Sequence, residues 1–363
     1  MKKKIISVVG ARPNFIKIAP LHRAFLKYGH SIDHIICHTG QHFDKKMSEI
    51  FFNQLELPEP EFNLGISGGS HAQQTARIMI AFEEILVSEK PDLVIVPGDV
   101  NSTLACSLVA SKAGVKLAHI ESGLRSFNRH MPEEINRIVT DTLADFLFVS
   151  EPSGIENLKK EGIQKEKIFF VGNIMIDSLI KFMDKIEMVN AHSYYNLNKK
   201  EYVLVTFHRP SNVDDPGRLK ELLKLLARIS GKEKIIFPIH PRSRKNMEKF
   251  DLAHLLDANI IITEPIGYLE FLSLVKDAKL VITDSGGIQE ESTFMNVPCI
   301  TARDDTERPI TIDIGTNYLG GADFQNMDQL INEVLKNPKK GKNPEKWDGK
   351  TAERIVEILV GSI

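Results

Sequence analysis

Short apolar runs rich in β-branched residues recur along this chain, each followed by a stretch of helical periodicity, and that alternation leaves few folds open. In the first half the runs are Ile5–Val9, His34–Cys37, Leu93–Val96, Leu117–Ile120 and Phe146–Val149. In the second half they are Val203–Thr206, Ile235–Phe237, Ile260–Thr263, Leu280–Thr283 and Pro298–Ile300. Each is apolar on both faces, as a strand covered by helices on both sides should be. Between them, His71–Glu89 places Ile78, Phe82, Ile85 and Leu86 on one helical face, with Ser70 as its cap. Alternating strand and helix predicts parallel, doubly wound sheets. At 363 residues the chain exceeds one ordinary core. The expected fold class is therefore α/β, with two Rossmann-like doubly wound domains and a cleft between them. The first domain is expected at 1–172, joined by the C-terminal helix 351–363, and the second at 173–350.

Composition narrows the function classes. A 42% apolar and 26% charged content is that of a globular protein, and no apolar run approaches the length of a bilayer span. The net charge of −2 gives no support for nucleic-acid or membrane binding. Cys37, Cys106 and Cys299 lack any paired spacing, so neither a disulfide framework nor a zinc site is indicated, and Cys106 and Cys299 read as buried small hydrophobes. The start MKKKIISVVG is charged like a signal peptide, but its apolar stretch ends at Arg12 and Pro13 and reads as a first buried strand. The expected compartment is the cytoplasm.

In doubly wound sheets, ligands bind beyond the carboxyl ends of the strands. Here those ends carry Gly10-Ala-Arg-Pro-Asn, Thr39-Gly-Gln-His, Gly98-Asp-Val-Asn-Ser-Thr and Glu121-Ser-Gly-Leu-Arg in the first half. In the second they carry His208-Arg-Pro, His240-Pro-Arg and Asp284-Ser-Gly-Gly. The last opens a helix, where Ser285, Gly286 and Gly287 are expected to leave backbone N–H groups uncovered for a phosphate. Glu291 lies one turn further in, placed for a ribose diol, and Arg308 offers a fixed cation to a diphosphate. GxGxxG is absent, which argues against NAD bound in the usual Rossmann manner.

The acid–base candidates are Asp99, Glu121, Glu133, Glu134 and His208. Asp99 and Glu121 end strands expected to be neighbours. Glu133 and Glu134 follow Pro132 and have helix-start charge as their plain alternative. Carboxylates crowded together push one another's pKa apart, so one becomes an acid while another stays a base. Arg12, Lys17, Arg125 and Arg137 supply compensating positive charge, although a solvated position in the first helix would also account for Lys17. No HxH or HExxH spacing appears, and no metal is expected.

With these motifs in place the chain resembles the non-hydrolysing UDP-N-acetylglucosamine 2-epimerases, which have the two-domain GT-B fold. The likeness runs through GARPNFIK (10–17), TGQH (39–42), GDVNST (98–103), HIESGLRS (119–126), MPEEINR (131–137), VGNIMID (171–177), FHRPSNVD (207–214), DSGGIQEE (284–291) and TERPI (306–310). It implies a reaction that eliminates UDP across carbons 1 and 2 of the sugar, passes through bound 2-acetamidoglucal, and adds UDP back after the proton returns to the opposite face. No cofactor is implied. The resemblance implies Asp99, Glu121, Glu133 and His208 as catalytic groups. It implies Arg12, Lys17, Arg137, His240, Phe271, Ser285, Gly286, Gly287, Glu291 and Arg308 as substrate-binding groups, with Phe271 near the uracil. The expected partner is a UDP-sugar, and the expected assembly a homodimer.

The chain also departs from the family pattern. GTRPE is GARPN here, and HRREN is His208-Arg-Pro-Ser-Asn, which loses a cation and an acid. Many bacterial members bind a second UDP-GlcNAc through a motif like TGQH and a following arginine. Gln41 and His42 are present, but Leu64-Gly-Ile-Ser-Gly-Gly-Ser-His carries no arginine and Asp44 follows closely, so a simple hyperbolic rate dependence is expected. The alternatives are another UDP-N-acetylhexosamine, such as UDP-GalNAc or a di-N-acetylated sugar, a hydrolysing epimerase, a GT-B glycosyltransferase, or a nucleotide-sugar sensor.

Overall fold

The computed structural model describes residues 2–40, 54–257, 259–325 and 327–363. These form two compact units, Met1–Lys181 with Glu345–Ile363, and Phe182–Pro344. Among the described residues the first unit carries a sheet of β1 (Lys3–Val9), β2 (Ile32–His38), β3 (Phe62–Asn63), β4 (Leu93–Pro97), β5 (Lys116–Ser122), β6 (Phe146–Val149) and β7 (Ile168–Phe170). Its spatial order is β3-β2-β1-β4-β5-β6-β7. The second carries β8 (Tyr202–Thr206), β9 (Lys234–Pro238), β10 (Ile260–Thr263), β11 (Leu280–Thr283), β12 (Cys299–Thr301) and β13 (Asn317–Leu319), in the order β10-β9-β8-β11-β12-β13. Every pairing is parallel. The structure is α/β and doubly wound, in two Rossmann-like sheets. No helix among the described residues is long and apolar enough to cross a membrane.

The strands form where burial on both faces favours β-branched side chains. Ile5, Ile6, Val94, Ile95, Val203, Leu204, Val281 and Ile282 have no measurable exposure. In the first unit Ile78 and Phe82 of the helix His71–Glu89 pack on Val94 and Val96, and Ser70 caps that helix by accepting from the Gln73 N–H at 3.3 Å. In the second unit the helix Pro216–Ser230 lays Leu219, Leu222, Leu223 and Leu226 on the same kind of apolar face. The short strands β3, β7 and β13 carry too few residues to show a pattern, and the sequence gives no sign of them. All three cysteines are buried, and burial pushes the Cys37 and Cys299 thiols up to about 12.

The helix Ile174–Val189 follows the last strand of the first sheet. Its Asp177 accepts the N–H groups of Thr351 (3.2 Å) and Ala352 (2.7 Å), fixing the start of the helix Thr351–Val360 within the first unit. Burial raises the Asp177 carboxyl to about 6 in spite of those two donors.

A second perturbed group lies on β2. His34 Nε2 meets Ser7 Oγ at 2.7 Å, and its Nδ1 faces the Nδ1 of His22 at 2.9 Å, an arrangement that suits two neutral rings. Burial above all, with the repulsion a proton on His22 would bring, lowers the His34 pKa to about 3. Between about 3 and 6.5 the folded chain therefore holds fewer protons at His34 than the unfolded one, and stability is lost as pH falls below 6.5. Asp177 acts in the opposite direction, so the test is a difference between chains. The urea-unfolding free energy of wild type minus that of His34→Gln should fall by up to about 1.4 kcal/mol per pH unit from pH 6.5 to 5. A constant difference across that range would show that His34 titrates normally.

Candidate functional site

Each sheet reverses its strand order once, between β1 and β4 and between β8 and β11, and the crevice at such a reversal is where doubly wound folds bind ligands. In the first unit Asn14 joins the two sides of that reversal. Its Oδ1 accepts the Gly10 and Ala11 N–H groups, both at 3.0 Å, and its Nδ2 donates to the Pro97 carbonyl at 3.2 Å. One helical turn on, Lys17 forms an ion pair with Glu121; the two are 5% and 4% exposed, so Lys17 is no solvated helix position. Glu121 sits at a break in the β5–β6 register with φ of 68°, a conformation in which a non-glycine residue is strained and one that recurs at functional sites. Gly98, at φ of 68°, leaves the space this pair uses, since a Cβ there would lie 3.0 Å from Lys17 Nζ.

β4 and β5 are neighbours, so Asp99 and Glu121 follow adjacent strand ends. Asp99 is part-exposed and takes Arg137 Nη1 on Oδ2, while its carbonyl accepts Asn136 Nδ2 at 2.8 Å. Glu134, only 1% exposed, accepts the N–H groups of Ser126 (3.0 Å) and Phe127 (2.9 Å) and Arg137 Nε (3.0 Å). Burial would raise its carboxyl, but the Ser126 N–H, Arg137 and the Phe127 N–H hold it below the usual range. Glu134 is thus a brace for the preceding loop and for Arg137. Glu133, beside it in sequence, is half-buried and has no hydrogen-bond or ion-pair partner among the described residues. Arg125 is turned away to Asp141 (2.7 Å) and Glu161 (2.6 Å). Arg12 opens the first helix, and its side chain lies outside what the structure describes.

In the second unit, β8 and β11 pair through Thr206 and Thr283, which brings the next residues together. Asp284, fully buried, accepts His208 Nδ1 at 2.8 Å, the Arg209 N–H at 2.9 Å and Asn212 Nδ2 at 3.1 Å. Burial raises its carboxyl, but His208 above all, with those donors, keeps it below the usual range. In sequence Asp284 stands only as part of a turn motif, and its place at the strand end next to that of His208 is the signal that marks it. The ring of His240 lies 5.7 Å from that of His208, and its Nδ1 accepts the Arg242 N–H at 3.2 Å.

The helix Gly286–Phe294 opens beside these residues. The Ser285 N–H is not uncovered, as expected from sequence, but donates to Thr283 Oγ1 at 3.0 Å, because that hydroxyl faces back from the strand end. The N–H groups left without an intrahelical partner are then those of Gly286, Gly287 and Ile288. The Arg308 guanidinium lies directly over Gly286, where a Cβ would come within 2.6 Å of Nη1. Arg308 is anchored by Glu290 at 2.9 Å, and Glu307 binds Arg303 through both carboxylate oxygens. Those arginines hold Glu307 far below the usual carboxylate range against the effect of burial. Glu291 is buried, and Phe271 is half-buried against the core around Tyr202 and Leu274. Gln41, His42 and Asp44 lie outside the described residues. The loop that carries no arginine of its own receives one from the following helix: Arg77 donates to the carbonyls of Ser67 (3.2 Å) and Gly68 (2.5 Å).

The family model for UDP-N-acetylglucosamine 2-epimerase matches residues 26–360. The chain belongs to that family. It is 45% identical to the UDP-N-acetylglucosamine 2-epimerase of Methanocaldococcus jannaschii over 98% of both chains. It is also 45% identical to the UDP-2,3-diacetamido-2,3-dideoxy-D-glucuronate 2-epimerase of Pseudomonas aeruginosa, over 88% of each. A crystal structure of the Methanocaldococcus epimerase in complex with UDP-GlcNAc and UDP superposes with a TM-score of 0.93, covering 99% of this chain and all of that one at 44% identity.

The brace at Glu134 gives a stability prediction for this family member. Glu134→Gln removes the charge from a buried pair with Arg137 and should cost about 3–5 kcal/mol in urea unfolding. A loss below about 1 kcal/mol, the worth of an exposed pair, would show that the brace is not holding the loop.

Proposed function

We propose that this protein interconverts UDP-GlcNAc and UDP-ManNAc without hydrolysing them. The observation that carries this reading is the near-full-length match to the Methanocaldococcus enzyme, whose crystals hold UDP-GlcNAc and UDP. UDP leaves carbon 1 as the proton leaves carbon 2, giving 2-acetamidoglucal; a proton returns to carbon 2 on the opposite face, and UDP adds back at carbon 1. The diphosphate gains charge as it departs, and Arg308, the Gly286 and Gly287 N–H groups and the Ser285 turn are suited to meet it. Glu291 takes the ribose hydroxyls, and Phe271 lies by the uracil.

Proton removal and return on two faces needs at least two acid–base groups. Asp99, Glu121 and Glu133 fill that need in the first unit. Glu121 works beside Lys17, Asp99 beside Arg137, and Arg12 adds a further cation. Glu133 is the carboxylate with no internal partner among the described residues, which suits a group kept for substrate. In His208, Nδ1 is tied to Asp284, so Nε2 is the nitrogen left for a proton or a phosphate oxygen. His240 supports the same ligand from its place beside the His208 ring. The enzyme acts in the cytoplasm as a homodimer.

Incubation with UDP-GlcNAc alone should give UDP-ManNAc, with no acceptor and no free N-acetylmannosamine. UDP-GalNAc and a UDP-diacetamido sugar should turn over far more slowly. Transfer that needs an acceptor, or release of free sugar, would replace this reading with a glycosyltransferase or a hydrolysing epimerase. Asp99→Asn, Glu121→Gln, Glu133→Gln and His208→Ala should each lower kcat by about 100-fold or more. Near-normal turnover in Glu133→Gln would return that residue to a helix-start charge. A sedimentation mass twice the 40.9 kDa of one chain checks the dimer.

A further inference from the structure

We infer that His119 and Asp141 form a positioning clamp that fixes the backbone carrying Asp99 and Glu121. The inference rests on the epimerase reading for the roles of those two carboxylates. Both clamp residues are completely buried, and neither is needed to touch substrate. His119 lies on β5, two residues before Glu121; Asp141 lies on the helix Pro132–Leu143, which also carries Glu133 and Arg137.

The contacts run to both strand ends. His119 Nε2 lies 2.7 Å from the Gly98 carbonyl, the residue before Asp99. A carbonyl only accepts, so this contact sets Nε2 as a donor. His119 Nδ1 lies 2.6 Å from Asp141 Oδ1. Asp141 Oδ2 accepts the Gly123 N–H at 3.0 Å, two residues after Glu121, and pairs with Arg125 at 2.7 Å. One carboxylate thus fixes the ring that holds the Asp99 turn and the N–H beyond the strained Glu121.

The surroundings make the arrangement selective. Gly123 has φ of 79° and packs so closely on Gly154 that a Cβ would come within 2.4 Å of its carbonyl oxygen. Gly98 likewise has φ of 68°, with its N–H bonded to the Ile120 carbonyl at 3.0 Å. Two backbone segments in unusual conformations flank the carboxylates, and the clamp holds one peptide group in each. A merely space-filling pair would not need an ionised acid and a ring donating from both nitrogens aimed at those two groups. Burying a charge is costly unless every oxygen is matched, and here both oxygens are.

Asp141→Asn keeps the shape but presents an NH2 where three donors converge: His119 Nδ1, the Gly123 N–H and Arg125. At least one clamp contact must then weaken or reverse. Misplacement of reacting groups by a fraction of an ångström to 1 Å lowers turnover by up to about 100-fold. We expect kcat to fall by about 10- to 100-fold in Asp141→Asn and in His119→Gln, whose amide reaches only one of the two partners. KM for UDP-GlcNAc should stay within about threefold, because the seat for UDP lies in the other unit. Glu161→Gln is the control: it weakens Arg125 from its other side without touching the clamp, so it should lower the melting temperature and leave kcat unchanged. Asp141→Glu, which keeps the charge, should recover part of the lost kcat.

Turnover by the wild type tests the epimerase reading separately. The clamp also has a readout that needs no turnover: a slowly exchanging His119 Nε2 proton in the nitrogen-labelled protein, exchanging faster in Asp141→Asn. The inference is overturned by a rapidly exchanging Nε2 proton in the wild type, by unchanged kcat in both clamp variants, or by equal kcat losses in the clamp variants and Glu161→Gln.

Discussion

A carboxylate taken out of water must be met by cations or N–H donors at each oxygen, and much of this architecture follows from where such carboxylates sit. Glu134 fixes the Ser126–Phe127 turn and Arg137. Asp141 fixes the Gly123 turn and His119. Asp284 fixes the His208–Arg209 turn. Each is nearly or fully buried, and each takes backbone N–H groups from a loop that carries or adjoins a candidate catalytic residue. Two of the carboxylates expected to do chemistry are matched differently: Asp99 is part-exposed, and Glu133 is left without an internal partner among the described residues, whereas Glu121 is buried against Lys17.

The two units apply one topological device to different ends. In each, the sheet order reverses beside the first strand of that unit, and the neighbouring strand ends bring residues distant in sequence into contact. In the first unit this joins Asn14 to Pro97 and Lys17 to Glu121. In the second it joins His208 to Asp284. A parallel sheet is suited to this because all of its strands present their carboxyl ends on one edge.

The fold class was legible because both-face burial leaves a plain mark on sequence. The runs Leu93–Val96, Leu280–Thr283 and the helix His71–Glu89 stand where their periodicity puts them. β3, β7 and β13 were not legible, since two or three residues carry no period. At the site, motifs marked which loops matter but not which neighbour holds which. Nothing in Glu133-Glu134 says that the second turns inward to brace a loop while the first does not; that depends on the Ser126–Phe127 turn, seven or eight residues earlier. Lys17 reads equally well as a solvated helix position until β5 brings Glu121 to it. The Ser285 N–H is occupied by a hydroxyl two residues back, a contact set by the turn itself.

The central claim is that the sugar is inverted at carbon 2 by breaking and remaking its bond to UDP, with the proton exchanged through the protein. The most direct measurement is a proton NMR time course of UDP-GlcNAc with the enzyme in deuterated water. The account predicts that UDP-ManNAc forms with deuterium at carbon 2, and that recovered UDP-GlcNAc gains it as the reaction nears equilibrium. Product that keeps its original hydrogen at carbon 2 throughout would contradict elimination and re-addition.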